Sequence, residues 1–126
     1  MPPQTIELGP IVPILRMFDI TKAREFYLGY LGYSVDFEHR FDPTLPLYMG
    51  ISRGGSTLHL SEHHGDGSPG ARVRITVSDI DALHSELTAK AYAYYRASIE
   101  AMPWGSREMD VTDPFGNRLT FASVPQ

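Results

Sequence analysis

The feature that most constrains this chain is a repeat. Asp19-Ile20 closes one strand-like run and opens a helical one, and Asp79-Ile80 does the same about half a chain later. Each junction is followed by a helical stripe and then by three stretches of strand character. Two units of strand, helix, strand, strand, strand, spanning about 11–62 and 71–123, leave few architectures open. Each helix has to cover one face of its own sheet, which makes the chain α+β. Its 126 residues suit a single domain, 1–126.

In the first unit, Ile11 to Met17 reads as a strand, with Pro13 marking an edge or an entry point. Thr21 is a good N-cap, and Ala23, Phe26, Tyr27, Tyr30 and Leu31 form one apolar helical stripe. Gly32 stands where a glycine ends a helix. Strands are expected over 33–40, 46–52 and 57–62, with Gly54-Gly55 as a hairpin turn. A glycine-rich loop follows from His63 to Gly70. In the second unit Arg72 to Val77 alternates, Ser78 or Asp79 caps a helix carrying Ile80, Leu83 and Leu87, and 92–97 is strand-like. That helix lacks a terminal glycine. Either Ala91 turns left-handed, at a cost of about 1 kcal/mol, or the helix ends by another geometry. The chain closes on a hairpin from Met102 to Phe121, turning at Asp113-Pro114-Phe115-Gly116-Asn117.

Periodicity assigns the faces. Leu15, Met17, Leu58 and Leu60, and then Val73, Ile75, Val77, Leu119 and Phe121, belong under the helices. Val12, Ile14, Arg16, Thr57, His59, Ser61, Arg72, Arg74, Thr76, Arg118 and Thr120 fall on the opposite faces. That second surface is too polar for a core, and two such sheets side by side would make a cup that holds a ligand.

Several classes are disfavoured. A net charge of -4 argues against nucleic acid as a direct partner. The chain has no cysteine, so disulfides and thiolate metal sites are absent. No run reaches ~18 apolar residues and the N-terminus carries no leader pattern, so a cytoplasmic protein with no membrane partner is expected. Gly65-x-Gly67-x-x-Gly70 has dinucleotide-motif letters but contains Pro69 and leads into a strand. Glu62-His63-His64-x-Asp66 has metal-ligand letters but reads as a solvated loop.

The paired units, the Asp-Ile junctions, Leu31-Gly32-Tyr33 and the Asp113-Pro114-Phe115-Gly116-Asn117 turn resemble the vicinal oxygen chelate superfamily. That group includes glyoxalase I, extradiol dioxygenases, fosfomycin resistance enzymes and bleomycin resistance proteins. Val12-Pro13-Ile14-Leu15, Asp36-Phe37, and Pro103-Trp104-Gly105 followed by Arg107-Glu108 are similar to the bleomycin-resistance branch. The resemblance implies metal-ligand positions at Val12, His59, Arg72 and Thr120. Only His59 can ligate a cation there, so no metal or other cofactor is expected. The branch implies a strand-exchanged homodimer in which Pro13 is the hinge of an N-terminal arm holding Pro2 and Pro3. It also implies a cleft for a planar, cationic, bleomycin-like drug, bound without turnover. Trp104 would stack on the ligand, with Phe37, Phe41 and Tyr48 as further walls. Ser61, His59 and a floor of Arg72, Glu108 and Asp110 would orient it.

Bland alternatives stand beside these. Trp104 can plug a loop, and His59 can be a lining hydrogen-bonder. Arg16, Arg72, Arg74 and Arg118 face Glu62, Glu108 and Asp110. If these pair internally the floor is a salt-bridge lattice, and if they do not the cup suits an anionic metabolite held by Arg72, Arg74 and Arg118. An enzyme of the superfamily, a lyase, isomerase or dioxygenase using Fe, Mn, Ni or Zn on His59, is the remaining alternative.

Overall fold

The computed structural model describes residues 5–93 and 95–123. Strand β1 (Ile14–Arg16) leads into helix α1 (Ile20–Ala23), then β2 (Ser34–His39), β3 (Tyr48–Arg53) and β4 (Ser56–Ser61). The second unit runs β5 (Arg72–Val77), α2 (Ile80–Ala89), β6 (Ile99–Ala101), β7 (Arg107–Thr112) and β8 (Arg118–Ser123). The sheets are ordered β1-β4-β3-β2 and β5-β8-β7-β6. In each, the first strand pairs parallel with the last and the other pairs are antiparallel. The expected pair of βαβββ units is therefore present, as two separate open sheets.

The repeated aspartates start both helices. Asp19 accepts from Lys22 N and Asp79 from Ala82 N, each at 2.9 Å. The first cap is thus Asp19, not the expected Thr21, which lies one residue inside the helix. After Ala23 the helix widens into a π-helical stretch, Arg24–Tyr30, and Leu31 N donates to Phe26 O at 2.9 Å. This keeps Phe26, Tyr27, Tyr30 and Leu31 all in the core. At the end of α2, Ala91 takes the left-handed conformation, with φ 55°.

Two further expectations change. The first strand is shorter than 11–17, because residues 5–12 run exposed before it. The stretch 92–97 forms no strand among its described residues, and Tyr94 lies outside them. Its tyrosines serve the core instead: Tyr95 packs edge-on to Phe26 at 5.0 Å, and Tyr92 edge-on to Tyr30 at 5.6 Å. Pairing with β7 starts only at Ile99.

One hydrophobic core joins the units, running from Leu15, Met49 and Leu60 to Met109, Leu119 and Phe121. The closing turn sits at the seam. Asp113 Oδ2 accepts from Tyr27 Oη at 2.7 Å and from Asn117 Nδ2 at 2.8 Å. Asn117 Nδ2 also donates to Arg16 O at 2.9 Å, tying β8 to β1. Burial, reinforced by the Asp113 carboxylate, pushes the Tyr27 phenol well above its ordinary range. No helix among the described residues is long and apolar enough to cross a membrane.

Candidate functional site

Each sheet has one face under a helix and one face free of helices. On the first sheet, register aligns Ile14, His59, Gly50 and Phe37 in one row of the helix-free face. The next row holds Arg16, Ser61, Tyr48 and His39. Phe37 reaches this face through a register shift between Val35 and Phe37. A bulge turns the residues after it to the other side of the sheet. The Phe37 ring then lies over Gly50, where any Cβ would fall inside it. Phe37 meets His59 edge-on at 5.2 Å, and Tyr48 Oη and His59 Nδ1 share a hydrogen bond of 2.6 Å. The result is an aromatic wall with Phe37 43% exposed.

Phe41 stands apart from that wall, in the loop beyond β2, and touches His39 edge-on at 4.7 Å. Ser61 is buried. Its hydroxyl donates to Asp66 Oδ2 at 2.9 Å and accepts from His63 N at 3.0 Å. Asp66 therefore braces the loop, and Glu62 accepts from Leu47 N instead of facing the arginines.

The second sheet carries charge. Trp104 sits on a tight turn closed by Gly105 N donating to Met102 O at 2.9 Å, with Gly105 at φ 100°. The residue is 68% exposed but its indole is fixed, because Nε1 donates to Ser106 Oγ at 2.8 Å and to Glu108 Oε2 at 3.1 Å. Glu108 is 4% exposed, and the same oxygen accepts from Arg74 Nη2 at 2.6 Å and from Ser106 Oγ at 2.7 Å. The Arg74 guanidinium, helped by the Ser106 hydroxyl and then by Trp104, outweighs burial and holds the Glu108 carboxyl down to about 2. Asp110 accepts from Thr120 Oγ1 at 2.5 Å, and Arg72 Nε donates to that same hydroxyl at 3.1 Å.

The arginine row is therefore divided. Arg74 belongs to an internal lattice, Arg72 lies 3.9 Å from Asp110, and Arg118 makes no ion pair among the described residues. Ser106 and Gly50 escaped the sequence reading. A lone glycine inside a strand is a signal for close approach and would have pointed to the second. The serine carried no signal of its own.

A divalent cation does not fit the superfamily's ligand positions. Valine and arginine offer no lone pair there, and the Thr120 hydroxyl is already engaged by Asp110 and Arg72. No group of three or more candidate ligands gathers among the described residues, the His63-His64-x-Asp66 loop included. A sizeable concave space lies elsewhere. It is an open groove of about 820 Å³ along the free edge of β5, walled by Val73, Ile75, Val77 and Leu83 on one side and by Ile11 and Thr57 on the other.

The family model for glyoxalase superfamily proteins matches residues 4–125. The chain belongs to the glyoxalase superfamily. Among solved structures it is similar to a bleomycin-binding protein from bleomycin-producing Streptomyces verticillus, complexed with copper(II)-bleomycin. The two share 29% identity and a TM-score of 0.72 over 95% of this chain and 99% of that one. A glyoxalase/bleomycin resistance protein/dioxygenase superfamily member from Sphaerobacter thermophilus shares the fold at 24% identity and TM-score 0.70, over 93% and 98%. A bleomycin resistance determinant encoded on the transposon Tn5 does so at 18% and 0.71, over 92% and 98%. No curated protein matches the sequence. Within the glyoxalase superfamily, then, bleomycin-binding proteins are among the solved structures this chain is like.

Proposed function

We propose that this glyoxalase-superfamily chain is a metal-free, homodimeric, cytoplasmic protein of the bleomycin-resistance type. It sequesters a planar organic molecule, such as an antibiotic, and releases it unchanged. The observation that carries this reading is the indole of Trp104. It is exposed, yet its one polar atom is tied down, so a flat apolar face is held ready in water. Holding an aromatic face in place lowers the ordering cost of stacking a planar ligand on it. Phe37, braced over Gly50 beside Tyr48 and His59, supplies a second such face on the other sheet. Asp110 and Arg72 add polar contacts to the floor. Phe41 flanks the wall from its loop, while Ser61 and Glu108 act from behind as supports.

The dimer reading has its own support. Ile6, Leu8 and Ile11 are 88%, 93% and 90% exposed. Ile11 already walls the β5-edge groove of its own chain, so Ile6 and Leu8 are the arm residues left for an apolar surface on a partner. Ile14–Arg16 pairs with β4 of its own chain, so the segment before Pro13 is the part free to exchange.

Trp104 is the sole tryptophan, so its emission reports on the site directly. Titrating bleomycin is expected to quench it saturably. Trp104→Phe, which keeps a ring but loses the tie to Ser106 and Glu108, should lose part of the affinity by calorimetry, and Trp104→Ala at least tenfold, about 1.4 kcal/mol. Absence of quenching at high micromolar drug, or full affinity in Trp104→Ala, rejects the stacking role. Recovery of the ligand in altered form after incubation rejects sequestration.

A further inference from the structure

The helix-free face of the second sheet is polarised along its strands. In register, Arg72 lies beside Arg118, whose antiparallel neighbour is Thr112. The next row is Arg74, Thr120 and Asp110, and the one after is Thr76, Ala122, Glu108 and Glu100. Positive charge gathers at one end and negative charge at the other. Trp104 is bonded to Glu108 at the negative end. Four residues of strand separate Arg118 from Ala122, roughly 13 Å.

The positive end is unbalanced. Two guanidinium groups on adjacent strands, about 5 Å apart at their Cα atoms, repel unless an acid lies between them. Arg72 gives Nε to Thr120 and lies 3.9 Å from Asp110, beyond hydrogen-bond range, so its terminal nitrogens are not bonded to that acid. The Arg118 guanidinium has no hydrogen bond or ion pair among the described residues, while its backbone N–H donates to Ala71 O at 2.8 Å. The Arg16 guanidinium has a partner of its own, its carbon lying 4.8 Å from the centroid of the Phe18 ring.

We infer that Arg72 and Arg118 form a site for an oxyanion, the carboxylate or phosphate group of the ligand. Arg74 takes no part, since Glu108 holds it. A planar guanidinium binds such groups through paired N–H donors, and two of them side by side match a carboxylate or a phosphate better than one does. The inference rests on reading the helix-free faces as the ligand site. Bleomycin, a cation, then serves as a probe of stacking on Trp104, and the natural ligand is a planar molecule whose negative group lies on the order of 10 Å from the ring that stacks there.

The test uses the full chain, labelled at the arginine side-chain nitrogens, at low ionic strength. Inorganic phosphate and acetate are titrated separately while the Nε–Hε resonances are followed. Saturable shifts of Arg72 and Arg118 with the Arg74 resonance unmoved are expected, saturating in the millimolar range. Which anion binds more tightly identifies the group. Arg118→Gln should weaken the Arg72 response at least tenfold, and Arg72→Gln should do the same to Arg118. Both side chains are exposed, so neither change threatens the fold. Shifts that fail to saturate, that move Arg74 equally, or that persist in Arg118→Gln overturn the site. Bleomycin quenching of Trp104 without any phosphate or acetate response sinks this inference alone. The reverse pattern keeps the oxyanion site and sinks the stacking reading.

Discussion

Asp113 shows how one residue can hold two units together. Its carboxylate accepts from Tyr27 Oη, Phe115 N, Asn117 N and Asn117 Nδ2, and Asn117 passes the connection on to β1. Removing the acceptor leaves buried donors unpaired, so Asp113→Ala should cost about 3 kcal/mol, measured by urea unfolding. Tyr27→Phe should cost about 1 kcal/mol, because it removes one bond and leaves the other three. Glu108 makes a different prediction, in pH. Its carboxyl ionises near 2 in the fold, against an ordinary value of 4.5. A depressed folded value means the charged form stabilises the native state. That contribution is complete above about pH 4.5 and fades as pH falls towards 2. Glu108→Gln should flatten the stability curve in that window and leave its slope near neutrality unchanged. A slope between pH 4.5 and 2 that matches wild type would refute the assignment. The sequence placed Glu108 on the correct face by alternation alone. It did not disclose Arg74 as the partner, since cross-strand neighbours depend on register, which no local pattern encodes.

At the scale of elements, the legible parts are those with a local cause. The Asp-Ile junctions placed both helix starts, but the first cap is Asp19 where Thr21 was expected, and Asp79 decides between the two residues offered for the second. The stripe from Ala23 to Leu31 marks a helix, though not that it widens, because α and π spacing differ too little over two turns. Period-two reading fails at β2. Val35 and Phe37 alternate as if they shared a face, yet Val35 pairs with buried Ile51 and Phe37 with Gly50. The bulge between them is what delivers an aromatic to the helix-free side. Gly50→Ala tests this: the added methyl should displace the Phe37 ring and weaken bleomycin binding several-fold, with the chemical shifts of the β3 core residues unchanged. The 92–97 misreading has a similar origin, since tyrosines favour strands but packed here around Phe26 and Tyr30. Where α2 ends, Ala91 holds φ 55° without a glycine. Ala91→Gly should therefore raise stability by roughly 0.5–1 kcal/mol in thermal unfolding, one of the few substitutions here expected to help.

For the whole molecule the question is where the N-terminal arm goes. A chain that leaves Ile6, Leu8 and Ile11 in water forgoes roughly 2 kcal/mol at each, and burying them is a large apolar gain left at this end. The groove beside β5 has the complementary features: half-buried Val73, Ile75 and Val77, and a strand edge with unpaired backbone groups. An extended arm can satisfy both at once, by side-chain burial and by adding a strand. If the arm crosses to a partner, a two-fold dimer buries two arms, and the gain doubles. Ile6→Asp with Leu8→Asp removes about four buried side chains per dimer, nominally ~8 kcal/mol. Association entropy and partial burial reduce that, but even a third of it raises the dimer dissociation constant about a hundredfold. Sedimentation equilibrium of wild type and double variant, at equal micromolar concentration, should give a dimer and a monomer respectively. Circular dichroism should show the same folded core in both. A wild-type monomer across the accessible concentrations rejects the exchanged arm, and so does a double variant that stays dimeric.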